Sequence, residues 1–322
     1  MYKNVDVVCV GVMVADVLAP GVDQSIFQRE MTRVPLKFST GGDAFNQAIN
    51  ISSMGYKVAL CGKVGADSVG NFLVSEAKSH NIDTSLISID KDHQTSVTIV
   101  LINNNGERNF IGTSNGTNGF LTSRDINTSI FQSAKIVSIG SIYGSVSFTG
   151  NEISEILKEA KKMNCVTVAD MMHADRGSLE DAKKALKFVD FFLPNLEEAK
   201  GLTGKTDVED ISNTLFDIGV GCVIIKLGKK GCFLKSRKLN IDSQYIDAFE
   251  VQNVVDTTGA GDALVSGFIS GIIDGCNIAD AVKRGCAAGH IIVQSVGATG
   301  GITSKNQIME IVNKRDVNFT HI

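Results

Sequence analysis

Short apolar runs of strand length alternate along this chain with longer stretches whose apolar residues recur at helical spacing. The first run, Val5 to Val12, is continuous enough for a strand covered on both faces, and it delivers Asp16 just past its C-terminal end. Residues 13 to 40 hold β-like pieces and end in Leu36-Lys37-Phe38-Ser39-Thr40, whose alternation predicts a strand with one covered face. Gly41-Gly42-Asp43-Ala44-Phe45-Asn46 reads as a strand exit into a helix, followed by a strand over 57–61 and an amphipathic helix over 72–79. Residues 86–112 interrupt the alternation. There, 95–102, the turn 103–106 and 108–111 predict a β-hairpin.

From residue 135 the alternation resumes, with strands expected at 136–139, 165–169 (ending at Asp170), 188–193 and 222–227, and a hairpin partner at 232–235. Helices are expected at 151–163, 179–186, 196–202, 208–218, 260–274, 278–295 and 304–313. Repeated strand–helix units predict an α/β fold, a mostly parallel central sheet with helices on both faces. The whole chain, 1–322, is expected to be one domain, with a small β-sheet lid built from about 13–40 and 86–112 over the strand ends where such sheets bind ligands.

With 322 residues, 43% hydrophobic and 20% charged, the composition is that of a soluble globular protein. A net charge of -4 without any Lys/Arg stripe argues against a nucleic-acid partner. No uncharged apolar stretch approaches the roughly 20 residues that span a bilayer, so no membrane partner is expected. Seven cysteines, an odd number without C-x-x-C spacing, favour a reducing, cytoplasmic setting over disulfides or zinc. Gly201-Leu202-Thr203-Gly204-Lys205-Thr206 imitates the end of a phosphate-binding P-loop, but Ala199 stands where its first glycine is required and the segment follows a helix.

Four stretches carry candidate chemistry, each with an ordinary alternative. Asp256-Thr257-Thr258-Gly259-Ala260-Gly261-Asp262 opens a helix with small residues, leaving N–H groups uncovered for an anion beside a fixed carboxylate; a turn and a cap are the bland account. Gly41-Gly42 lets a polyhydroxyl ligand approach the backbone and Asn46 offers it a donor and an acceptor, or the stretch only starts a helix. Asn195 and Glu198, three apart, hold a hydrated divalent ion or form a capping box. Lys226-Leu227-Gly228-Lys229-Lys230-Gly231 brings charge and close backbone approach to phosphates, or is a plain hairpin turn.

Taken in order, Gly41-Gly42-x-x-x-Asn46, Gly65-x-Asp67-x-x-Gly70, Asn195-x-x-Glu198, Lys226-Leu227-Gly228-x-x-Gly231 and Asp256 through Asp262 resemble the ribokinase (PfkB) family of carbohydrate kinases over about residues 5 to 300. The resemblance implies a ribokinase-like fold and ATP-dependent phosphorylation of a hydroxyl on a sugar, ketose or sugar acid. It implies Asp262 as catalytic base and Gly259, Ala260 and Gly261 as the anion hole. Asp16, Gly42, Asp43 and Asn46 would face the sugar. Asn195, Lys226, Gly228 and Gly231 would serve the nucleotide, and Glu198 would serve Mg²⁺ through water. Asp256, Thr258 and Gly297 would lie at a monovalent-cation (K⁺) site that some members use.

Departures bear on the substrate. Asp43 is acidic where ribokinase itself carries a lysine, which speaks against ribose. Asp170-Met171-Met172-His173-Ala174-Asp175-Arg176 differs from the D-x-N-x-R segment of ketogluconate kinases and some fructokinases. Asp170 remains a substrate-pocket candidate, and Arg108 and Arg176 are candidate contacts for a carboxylate or phosphate, or else surface ion pairs. A nucleoside kinase of the same fold and a silent sugar or nucleotide sensor stay open as alternatives. An exposed β-lid also suggests a homodimer.

Overall fold

A computed structural model describes residues 4–105, 107–172 and 177–319. Strand β1 (Val5–Val10) stops two residues earlier than its apolar run because Gly11 takes φ +152° and turns the chain out of the central sheet. The chain continues as β2 (Val14–Pro20) and, after a 3₁₀ turn, β3 (Lys37–Gly41). Helix α1 (Asp43–Ser53), β4 (Val58–Cys61), β5 (Lys63–Gly65) and α2 (Ser68–Ser79) follow. Next come β6 (Ser88–Asp90), β7 (Val97–Ile102), β8 (Arg108–Gly112), β9 (Ala134–Ile142), α3 (Gly150–Lys162), β10 (Val166–Met171) and α4 (Leu179–Leu186). The expected strand 188–193 shrinks to β11 (Phe191–Phe192), because Asp190 turns its side chain back onto the Thr167 N–H and hydroxyl. Then come α5 (Leu196–Thr203), α6 (Val208–Ile218), β12 (Cys222–Lys226), β13 (Cys232–Ser236), β14 (Ile241–Ile246), α7 (Ala260–Ile273), α8 (Ile278–Ile292) and α9 (Lys305–Phe319).

The central sheet has eight strands in the order β14-β13-β12-β11-β10-β9-β1-β4, parallel from β4 to β12 and closed by an antiparallel hairpin that includes β14, which the sequence pattern had not marked. Alternate residues of each strand feed two cores. Val7, Cys9, Leu60 and Ile224 pack with α1, α2, α7 and α8, whereas Val8, Val10, Val223 and Ile225 pack with α3 to α6. Among the described residues no cysteine forms a disulfide. Among the described residues no helix is long and apolar enough to cross a membrane.

A second, mixed sheet, β3-β2-β7-β8, forms where the sequence leads one to expect a lid, and is called the lid sheet below. Its pairing sets Asp16 beside Ser39 and Thr98 on one face, and Val17 beside Phe38 and Ile99, which pairs Ile111, on the other. Strand β6 pairs instead with β5 in a separate two-stranded sheet. Asp67 ties lid to core. It caps α2 through the Gly70 N–H (2.7 Å) and accepts from both the N–H and hydroxyl of Thr95 (2.7 Å each), so the helix begins four residues before its amphipathic stretch. Replacing Asp67 by Ala is expected to cost about 1–3 kcal/mol, since one cap is lost and Thr95 is left with unmatched donors. Urea denaturation at pH 7 measures it, and an unchanged midpoint would show that the tie contributes nothing.

Candidate active site

Helix α7 begins at a place only glycine can occupy. Gly259 has φ +73°, and a Cβ there would lie 2.4 Å from that of Ala298. The Ala260 N–H bonds back to Thr257 O (3.3 Å) and the Ala263 N–H to Gly259 O (2.8 Å). The N–H groups of Gly261 and Asp262 are then the uncommitted donors of the first turn, with the helix dipole behind them.

Asp262, 7% exposed, sits on this turn between two amides of α1. Asn46 Nδ2 donates to Asp262 Oδ2 at 2.9 Å and Gln47 Nε2 to Oδ1 at 3.5 Å. Gln47 is itself held by the Ser138 hydroxyl (3.0 Å), and its amide also reaches Gly140 O (3.2 Å). Asn46 Oδ1 is buried and, among the described residues, has no hydrogen-bond partner. Burial pushes the Asp262 carboxyl up to about 7; the Asn46 bond opposes this and the Asp170 charge adds to it. Gln47 escaped the sequence reading. The signal was a second amide beside Asn46 on a helix face otherwise made of Ala44, Phe45, Ala48 and Ile49.

A cleft of about 790 Å³ runs from Asp262 to the underside of the lid. Asp16, Gly42, Asp43, Asn46, Arg108, Asp256, Thr258, Gly259 and Gly297 all line it, so the sugar-facing and cation-site candidates share one cavity. Burial raises the Asp16 carboxyl to about 6, and a side chain at Gly41 would collide with that carboxylate. Gly42, at φ +91°, brings the chain so near Val12 O that a Cβ would stand 2.4 Å from it. Asp43 accepts from the Ser141 hydroxyl, and burial, then the charges of Asp262 and Asp170, push its carboxyl well above the usual range.

Lys226, Asp170, Asn195 and Glu198 form a second cluster, at the ends of β12 and β10 and the start of α5. Lys226 Nζ donates to both carboxylate oxygens of Asp170 at 2.6 Å. Asn195 and Glu198 make the capping box, with Glu198 N donating to Asn195 Oδ1 (2.9 Å) and Asn195 N to Glu198 Oε2 (2.7 Å). Burial lifts the Glu198 carboxyl to about 7 against the pull of Lys226. The box uses one Glu198 oxygen, so the other suits a hydrated Mg²⁺ bound chiefly by phosphates. Among the described residues no group of three or more His, Cys, Asp or Glu could cage a metal directly. Gly228 (φ +59°) and Gly231 (φ +88°) shape an exposed 3₁₀ turn that lies outside the cleft lining.

The candidate K⁺ site is differently occupied. Asp256 Oδ1 accepts from the Thr258 N–H (2.8 Å), the Thr258 hydroxyl (2.7 Å) and Arg108 of the lid, while Oδ2 accepts from the Gly297 N–H (3.0 Å). Burial acts to raise this carboxyl, yet these bonds bring it down to about 2. A guanidinium already neutralises the one carboxylate a monovalent ion would need, so with Arg108 in place the donor set does not fit K⁺. Arg176 lies outside the described residues.

The sequence pattern of the pfkB family carbohydrate kinases matches residues 4–305. The chain belongs to that family. It is therefore a carbohydrate kinase, in a family that uses ATP. It is 27% identical to 2-dehydro-3-deoxygluconokinase of Bacillus subtilis over 86% of this chain and 88% of that one. It is 28% identical to ribokinase of Staphylococcus aureus over 84% and 87%. The fold is ribokinase-like: Arabidopsis thaliana ribokinase, solved with ribose and ATP, superimposes with a TM-score of 0.83 over 97% of this chain and 99% of its own, at 22% identity.

Asp262 is one source of pH dependence in the kinase's stability, beside Asp16 and Glu198. Its carboxyl titrates near 7 when folded and near 3.8 ordinarily, so the folded state keeps a proton that the unfolded chain gives up between those values. That stabilisation is complete below the ordinary value and is lost as pH rises through about 7. Asp262→Asn is expected to flatten the stability loss between pH 5 and 8 in denaturation series. A variant curve parallel to wild type would contradict the assignment of Asp262 as the titrating group.

Proposed function

We propose that the protein transfers the γ-phosphoryl group of ATP to a hydroxyl of an uncharged sugar, an aldose, ketose or polyol, with Asp262 as the base. The observation that carries this reading is the cleft lining: Asp16, Asp43 and Asp262 offer acceptors to hydroxyls, and Arg108, the basic side chain among the described lining residues, is engaged by Asp256. Asp262 aligns the attacking hydroxyl and takes its proton as the oxygen–phosphorus bond forms. The bond from the γ-phosphorus to the bridging oxygen breaks, and its electron pair leaves with ADP. The Gly261 and Asp262 N–H groups face the charge on the transferring group, while Asn46 and Gln47 hold the carboxylate in line. Asn195 and Glu198 would hold Mg²⁺ through water, and the ion supplies charge neutralisation on the phosphates. A protonated Asp262 cannot accept the proton, so turnover falls below about pH 7.

A second reading, a sugar acid, has support from Arg108 in the lining and from similarity to 2-dehydro-3-deoxygluconokinase. Nucleoside acceptors share the motifs and stand third. We also propose a homodimer through the outer face of the lid, where Phe38 (66% exposed) and Ile111 (55%) leave an apolar row; a monomeric mass at micromolar concentration in light scattering would contradict it.

ADP release screened against neutral sugars, sugar acids, sugar phosphates and nucleosides decides the acceptor. The proposal expects a neutral sugar to win, with Asp262→Asn slowing its turnover roughly 100-fold or more while ATP still binds. It expects replacement of K⁺ by Na⁺ to change the rate little. A preference of about 100-fold for an anionic acceptor, some 2.7 kcal/mol, would overturn the neutral-sugar assignment.

A further inference from the structure

Lys226 does not sit as a member of a nucleotide loop should. Its backbone ends β12, with its N–H on Pro194 O (2.9 Å) beside the α5 cap, but its side chain runs away from the Gly228–Lys230 turn into the interior, where it is 11% exposed. The ammonium reaches both oxygens of Asp170 and also lies against the start of α7: a Cβ built on Gly261 would be 3.4 Å from Nζ. It thus approaches the same turn whose N–H groups face the transferring phosphoryl group. Its charge acts on all four acids of the region, Asp43, Asp170, Glu198 and Asp262. A buried Lys–Asp pair contributes little net stability, because desolvating both charges offsets their attraction. Lysine also differs from arginine here: a compact charge on a flexible stem can leave one anion for another a few ångströms away.

We infer that Lys226 carries its ammonium to the non-bridging oxygens of the transferring phosphoryl group, and that Asp170 holds that ammonium beside Gly261 until nucleotide arrives. The inference rests on the kinase reading with ATP as donor. Lys226 moves no proton in the transfer; it offsets the negative charge that the phosphoryl group brings next to Asp262, where the helix N-terminus alone would have to do so. Asp170 is a positioning residue in this scheme, acting through Lys226.

The test compares wild type with Lys226→Met, Lys226→Arg and the double variant Lys226→Met/Asp170→Asn, which removes the pair together so that no carboxylate at position 170 is left without its ammonium. ATP and ADP affinities are measured by calorimetry, and kcat with the best acceptor. The inference expects the double variant to lose kcat by roughly 100-fold or more and to lose ATP affinity at least about tenfold more than ADP affinity, with Lys226→Arg restoring part of both. A double variant within about threefold of wild-type kcat, or equal losses for ATP and ADP, would overturn it and leave Lys226 as a neutraliser of Asp170. If wild type released no ADP with any acceptor, the kinase reading would fail by itself, and the ATP-to-ADP comparison would still decide where the ammonium goes.

Discussion

Asp43, Asp170, Glu198 and Asp262 converge where the parallel strands end, and one ammonium, Lys226, acts on all of them. Water that would solvate these charges is largely excluded: Asp170 is 3% exposed and Asp262 7%. Carboxylates so placed hold protons more tightly, as Asp262 and Glu198 do near neutrality, and Asp170, also raised by burial, gathers donors from Lys226. An aspartate near its ordinary value would be a feeble acceptor for an alcohol proton. Burial would make Asp262, as the proposed base, a stronger one.

The remainder of the fold serves this arrangement. Parallel β1, β9, β10 and β12 send their C-terminal ends to one side, so that side chains distant in sequence, Asn46 and Asp262 among them, meet within hydrogen-bond reach. The lid sheet closes over that side with its polar row, Asp16, Ser39 and Thr98, directed to the cleft. Arg108 on the second sheet holds Asp256 on the loop before α7, so the position of that sheet and the start of α7 share one ion pair. Asp256 in turn anchors Gly297, whose neighbour Ala298 packs against Gly259 at the start of α7.

Much of this was legible in the residues. The alternation of apolar runs with helical periods foretold the parallel core, and the motif glycines Gly42, Gly228, Gly231 and Gly259 adopt positive φ values that favour glycine. What escaped was set by tertiary contact. Strand β14 has a mixed pattern because it caps a sheet edge, and β11 is short where the Asp190 side chain takes the Thr167 N–H in place of a backbone partner. Gln47 and the Lys226–Asp170 pair could not be read from spacing, since 215 and 56 residues separate the partners. The residues alone leave Arg108 between a substrate contact and an ion pair and set Asp256 toward a cation; nothing local to either residue indicates that they meet.

The central claim is that burial, before any ligand binds, sets Asp262 near neutrality. Carboxylate infrared or ¹³C NMR titration of the ligand-free protein, subtracted against Asp262→Asn, reads that carboxyl directly. The account predicts a difference signal titrating at about pH 7. A midpoint near 4, the ordinary aspartate value, would show that the site leaves Asp262 unperturbed and that its competence as a base must come from elsewhere.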